Sequence, residues 1–226
     1  MGGADQRVIV LQGALVQGLL LVGTGVVDRP DVVVIEADEA DRFAQLVNEH
    51  DVADLQVVEV RDDYECHGCV LPFAGRLGEE LLDQLPGPPP ISAFCGYVGT
   101  AGCFLGVSHA LAAALPGVHR VVVEPAESAV LSGGPPGTHH IEGGGIGHRP
   151  PQLYPADYDE VVAIPEAQAF QTARQAARTE GIFSGPSTGA NLAAAVGVAR
   201  RLGPGHRVAT VQVDSGLKYL AGQLYS

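Results

Sequence analysis

Residues 91–111 read ISAFCGYVGTAGCFLGVSHAL, and the two halves of this stretch carry different periods. Residues 91–96 form a short apolar run of strand length. Residues 103–115 space their apolar side chains as a helix does. Between them stands Gly99-Thr100-Ala101-Gly102-Cys103, a turn of small residues. Downstream the same grammar repeats. Strands are predicted over 118–124, 160–164 and 207–213, and helices over 166–178 and 187–202. Gly181 and Gly203 follow the two helices, where glycine closes a helix in the left-handed conformation. Alternating strands and helices imply an α/β fold with a parallel sheet and right-handed crossovers. Such sheets bind ligands beyond the C-terminal ends of their strands. The loops after Gly96, Glu124, Ile164 and Val213 are therefore expected to line a cleft.

Working towards the N-terminus, GPPP from Gly87 marks a boundary. Before it, strands are predicted over 7–11, 31–36 (DVVVIE) and 55–60, a helix over 37–50 and a short helix over 79–85. Residues 61–75 read as irregular. The expected organisation is two parallel-sheet lobes with a cleft between them. Residues 1–88 form a truncated small lobe, and 89–226 a larger lobe carrying the small-residue turn. A truncated lobe exposes a sheet edge, which a homodimer or a partner chain would cover.

Composition limits the function classes. A formal net charge of -13 opposes nucleic-acid binding, which needs clustered Lys and Arg. The apolar run over 8–27 is long enough to span a bilayer, but its glutamines and glycines favour a buried strand and helix. No membrane role is expected. Four cysteines in a chain of this length do not make a disulfide framework, so a reducing, cytoplasmic compartment is expected. Cys95 reads as a small buried hydrophobe. Cys66-His67-Gly68-Cys69 is a CxxC, which elsewhere tunes a thiol or supplies half a zinc site. No second CxxC is present, and the favoured reading is two loop cysteines without a metal.

Several residues carry possible chemistry. The turn Gly99, Thr100, Ala101, Gly102, Cys103 lets backbone N–H groups converge on an anion at a helix N-terminus; alternatively it is a tight turn with no ligand. Tyr97 is either a general acid or lid, or a packed tyrosine. His139 and His140 precede Glu142-Gly143-Gly144-Gly145 and suit acid/base work near neutral pH, or a solvated loop. Ser187 and Thr188 open a helix, where serine also serves as a cap. Asp214 and Ser215 follow the last strand, and Lys218, the single lysine of the chain, lies close behind.

Four runs resemble cysteine synthase, of the fold-type II pyridoxal-phosphate (PLP) enzymes. They are ISAFCGYVGTAGCFLGVSHAL from Ile91, VVVEPAESAVLSGGPPGTHHIEGGGIG from Val121, EGIFSGPSTGANLAAAVGVARRLGPG from Glu180 and VQVDSGLKYL from Val211. The resemblance covers about residues 7–220 and is firm after Ile91. It implies that Gly99–Cys103 stands where the family's G-T-G-G-T cradles the PLP phosphate, with Ala101 and Cys103 departing from that run. It implies that Ser187 stands where a hydroxyl meets the pyridine nitrogen, and that Asp214-Ser215-Gly216 lies near the same ring edge. Tyr97 stands where the family has glycine. The family holds PLP as a Schiff base on an N-terminal lysine, and its T-S-G-N-T-G substrate loop corresponds here to Gln12-Gly13-Ala14-Leu15-Val16-Gln17.

The sequence therefore leads to the expectation of a cysteine synthase-like protein without a cofactor, PLP remaining open only as a non-covalent ligand. The first expected function is a lyase or cyclase acting by acid/base catalysis on a small anionic or amino-acid-derived substrate. Tyr97, His139, His140, Ser187, Asp214 and Cys103 are the catalytic candidates. Gly99, Thr100, Ala101, Gly102, Cys103 again, Gly143, Thr188 and Ser215 are the ligand-binding ones. The alternative is a non-catalytic subunit of another enzyme.

Overall fold

A computed structural model describes residues 5–11, 29–36, 55–59, 70–85 and 87–226. Its strands are β1 (Asp5–Leu11), β2 (Arg29–Glu36), β3 (Leu55–Glu59), β4 (Ile91–Tyr97), β5 (His119–Pro125), β6 (Glu160–Ile164) and β7 (Arg207–Gln212). Its helices are α1 (Val70–Gln84), α2 (Gly102–Ala114), α3 (Glu166–Thr179) and α4 (Pro186–Leu202). The described strands form one sheet in the order β3-β1-β2-β7-β4-β5-β6. The pairs β7-β4, β4-β5, β5-β6 and β1-β2 are parallel. The pairs β2-β7 and β1-β3 are antiparallel.

The α/β class and its parallel core agree with the sequence. The separate first sheet does not appear among the described strands. β2 instead pairs antiparallel with β7 from Asp31↔Gln212 to Glu36↔Arg207. The open edge of β7 needs hydrogen-bond partners, and the β-branched run of β2 supplies a full row of them. Helix α1 begins at Val70, nine residues before the expected start at Glu79, because Pro72 is tolerated in a first turn, where its missing N–H costs nothing. The predicted helix over 37–50, the apolar segment after Leu11 and the CHGC run at Cys66–Cys69 lie outside the described residues. No helix among the described residues is long and apolar enough to cross a membrane.

The core lies on both faces of the sheet. Alternation along β4 sends Ala93 and Cys95 to the face covered by α3 and α4. Phe94 goes to the face covered by α1 and α2. Ile91 joins Phe94 rather than Ala93 because the β4-β7 register shifts between Ile91 and Ala93. Helix α4 is buried over most of its length, and small residues let it lie close to the sheet and to α3. Gly78 does the same between α1 and α2: a Cβ there would stand 2.6 Å from the Cβ of Ala110. This architecture brings the C-terminal ends of β4 and β7 together beside the N-terminal ends of α2 and α4.

Candidate functional site

The turn after β4 begins helix α2 in an unusual way. Ala101 caps the helix with φ 71, a left-handed conformation, and offers no side-chain hydrogen bond. The first turn holds no acidic residue. The first α-helical bond runs from the Leu105 N–H to the Ala101 carbonyl at 2.9 Å. Among the described residues, the N–H groups of Gly102, Cys103 and Phe104 thus remain for a ligand at the positive end of a 13-residue helix. An alanine in this conformation costs about 1–2 kcal/mol, whereas its buried methyl returns about 0.8 kcal/mol. Ala101→Gly is therefore expected to stabilise the fold slightly, read as a rise in the urea midpoint.

A cleft of about 190 Å³ opens over this turn. Gly99, Thr100, Ala101, Gly102 and Cys103 form one wall, and Tyr97, Gly143 and Asn191 face them. The glycine run that supplies Gly143 has a steric origin. A Cβ on Gly99 would sit 2.4 Å from the Gly143 carbonyl oxygen. One on Gly144 would sit 2.3 Å from the Tyr97 ring, and one on Gly145 2.4 Å from His139 Nε2. The glycine run therefore packs directly on the Gly99 backbone and on the rings of Tyr97 and His139, and the Gly145 N–H donates to the Val98 carbonyl at 3.0 Å.

Tyr97 closes one side of the cleft. Its hydroxyl donates to the Ile141 carbonyl at 3.0 Å. Burial, with Glu127 adding to it, raises its pKa well above the ordinary tyrosine value. It therefore stays protonated at neutral pH and braces the glycine run. Cys103 is open to the cleft; desolvation by the atoms packed around it still pushes its thiol up to about 11, so it too stays protonated. Cys95 is fully buried, as the sequence led us to expect.

The histidines do not line the cleft. His139 Nε2 lies 3.0 Å from the Gly145 carbonyl. The His140 N–H donates to Glu166, and its Nδ1 lies 3.0 Å from Glu166 Oε2. Burial opposes ionisation of Glu166, but the His140 N–H and ring outweigh it and hold the carboxyl below its usual range. The pair thus ties the loop to the start of α3. Ser187 is 2% exposed in the first turn of α4. Ser187 is not among the residues lining the cleft, whereas Asn191, four residues further along α4, is. Thr188 Oγ1 accepts the Val213 N–H at 3.0 Å. Ser215 caps a short 3-10 turn by accepting the Leu217 N–H at 3.3 Å.

Asp214 Oδ2 accepts the Tyr219 hydroxyl at 2.6 Å, while Oδ1 is buried without a hydrogen-bond partner among the described residues. Lys218 Nζ pairs with Glu142 at 2.9 Å and with Asp214 at 3.5 Å. The hydrogen bond that it donates to Glu142 is the first reason that its ammonium is held well above the usual lysine value. Lys218 is not among the residues lining the cleft. Asn191 is the cleft residue that the sequence reading passed over. Its place one turn after Ser187, polar at the head of the apolar run that starts at Leu192, was the available signal.

An α/β sheet with a small-residue turn, an uncapped helix N-terminus and a cleft at the strand ends is an arrangement with the geometry to receive a small anionic group. The chain belongs to the pyridoxal-phosphate-dependent enzyme family, whose model matches residues 31–214. It is 41% identical over 149 residues to a cysteine synthase of Staphylococcus aureus, covering 66% of this chain and 48% of that protein. It is 42% identical over 137 residues to a probable cysteine synthase of Bacillus subtilis, covering 61% and 44%. Among solved structures, O-acetylserine sulfhydrylase isoform 3 of Entamoeba histolytica superposes with a TM-score of 0.65 at 33% identity, covering 69% of this chain and 46% of that one. The chain spans about half the length of the curated relatives it matches.

These matches correct the expectation of a chain without a cofactor, because the family is one of PLP-dependent enzymes. The residues present fit that group. The unfilled N–H groups at Gly102, Cys103 and Phe104 suit its phosphate, and the cleft beyond them is open to Asn191 and the ring of Tyr97. That expectation followed from the single lysine at position 218 and the Gln12–Gln17 run in place of the family's substrate loop, whereas backbone N–H donors at the helix end do not depend on the side chains that change at Ala101 and Cys103.

Proposed function

We propose that this chain provides the phosphate-binding lobe of a cysteine synthase-type enzyme acting on a small amino-acid-derived substrate. The observation that supports this most directly is the uncapped N-terminus of α2 opening into the cleft. In this reading the N–H groups of Gly102, Cys103 and Phe104 hold the PLP phosphate. Bound PLP supplies an electron sink for negative charge that develops beside the substrate carboxylate. Ser187 offers its hydroxyl to the ring nitrogen from the first turn of α4. Tyr97 and the glycine run at Gly143 wall the cleft against water. The reaction class is elimination or replacement on an O-activated serine, by analogy with the O-acetylserine sulfhydrylase and with the O-ureido-L-serine synthase, 31% identical, that the chain resembles. A second copy or a partner chain is the proposed neighbour of the lobe.

A second reading is a subunit that binds the ligand in support of another enzyme. It is favoured by Lys218, which is engaged by Glu142 and Asp214 outside the cleft lining. Titration with pyridoxal 5′-phosphate, followed by its absorbance and by equilibrium dialysis, tests the shared part of both readings. Saturable binding at one site per chain, displaced by inorganic phosphate, is expected. No saturable binding, or binding that phosphate leaves untouched, would sink the proposal. Sulfide-dependent turnover of O-acetylserine by the pure chain then separates the enzyme from the subunit.

A further inference from the structure

We infer that Asn191 is a positioning residue that holds β4 and β7 apart at the floor of the cleft. The inference rests on the ligand reading above. From Ala93↔Val208 the parallel pairing of β4 with β7 runs in register to Cys95↔Thr210 and is not continued beyond it. Past that point the two strands are bridged by one side chain from α4. Asn191 Oδ1 accepts the Tyr97 N–H at 2.6 Å, and its Nδ2 donates to the Val211 carbonyl at 2.7 Å. The amide thus substitutes for the missing ladder bonds and keeps the strands one side chain apart. Thr210 Oγ1, donating to the Cys95 carbonyl at 2.7 Å, marks the last point of direct contact.

Three features make this more than core packing. Asn191 is 1% exposed yet belongs to the cleft lining. The strand residues it holds, Tyr97 and Val211, line the same cleft. The bridge also needs a donor and an acceptor in fixed places, which an apolar residue of equal size cannot supply. Tyr97 leads within two residues to Gly99, so the width set at Asn191 determines where the anion-binding turn stands. Closing this gap would draw Gly99 towards β7 and narrow the cleft.

An aspartate at this position is isosteric and makes the donor conditional on pH. Ionised, it presents an acceptor to the Val211 carbonyl. Protonated, it donates to that carbonyl and accepts from the Tyr97 N–H, as the amide does. Burial raises a carboxyl pKa, so the change falls in the range of about pH 5–8. Among the described residues, the titratable side chains that line the cleft with Asn191 are Tyr97 of β4 and Cys103 of α2. Both are shifted upward by burial and do not titrate in that range.

The experiment measures binding of inorganic phosphate and of pyridoxal 5′-phosphate to the full-length wild type, Asn191→Asp and Asn191→Ala from pH 5 to 8. Affinities are expressed relative to wild type at each pH, which removes the titration of the ligands themselves. Asn191→Asp is expected to bind at least roughly tenfold more weakly at pH 8, from the buried donor lost and the added negative charge in the cleft, and to approach wild type at pH 5; the neutral Asn191→Ala isolates the lost bridge from the charge. Asn191→Ala is expected to be weak throughout. Circular dichroism at each pH checks folding, and Asn191→Ala is read where Asn191→Asp does not fold. A pH-independent ratio for Asn191→Asp, or wild-type binding by Asn191→Ala, overturns the inference. Absence of binding by the wild type would instead reject the ligand reading on which it rests.

Discussion

Cys103→Asp is expected to weaken phosphate and PLP binding by on the order of a hundredfold or more while leaving the fold as stable as before, or more so. The two effects have opposite signs because they share one cause. Cys103 stands in the first turn of α2, open to the cleft, where the helix has no acidic residue and no side-chain cap. A carboxylate there meets the positive end of the helix and gains about 0.3–1 kcal/mol. The same carboxylate occupies the place of the ligand anion. Two like charges at 4 Å repel by about 4 kcal/mol at the effective dielectric of a protein surface. Repulsion of the ligand therefore outweighs every other consequence of the change. Equilibrium dialysis reads the first effect and the thermal midpoint reads the second. Unaltered phosphate affinity would place the anion elsewhere than at this helix end.

Gly189→Ala is expected to destabilise the protein by about 2 kcal/mol or more, against the usual direction for a glycine in a helix. Helix propensity alone favours alanine by about 1 kcal/mol. At Gly189, however, a Cβ would stand 2.0 Å from the Ala169 carbonyl oxygen, 2.9 Å from its carbon and 3.0 Å from the Ala173 Cβ. The obstacle is backbone of α3, which cannot swing away as a long side chain can. Overpacking ordinarily costs about 1–3 kcal/mol, and a collision with backbone lies at or above the upper end. Gly197 on the same helix is the control. A Cβ there meets nothing within 4 Å, so Gly197→Ala is expected to raise stability by about 1 kcal/mol. Urea midpoints of the two variants should move in opposite directions. Parallel shifts would mean that the contact of α3 with α4 does not govern stability.

Much of the fold was legible in the chain. The strands from Ile91 onward and the helices between them lie within one or two residues of their expected bounds, because apolar runs and helical spacing fix local structure. Gly181 and Gly203 adopt positive φ as the helix ends require. The small-residue turn was legible too, since its composition and its place between strand and helix are local properties. The family resemblance was carried by the same runs.

What the sequence could not supply was which distant groups meet. Two adjacent histidines before a glycine run suggest a site, but His140 turns to Glu166 of α3 and His139 to the Gly145 carbonyl. Tyr97 reads as an acid or lid, and its hydroxyl is directed to the Ile141 carbonyl 44 residues away. The antiparallel union of β2 with β7 joins residues far apart in the chain, where no local period registers a partner. Asn191 is ordinary on its helix until β4 and β7 part around it. The sequence by itself determined the elements, the turn and the family, because each depends on neighbours along the chain. The tertiary structure alone decided which backbone donors stay free, which side chains brace the loops and what holds the cleft open, because each depends on contacts that exist only after the chain has closed on itself.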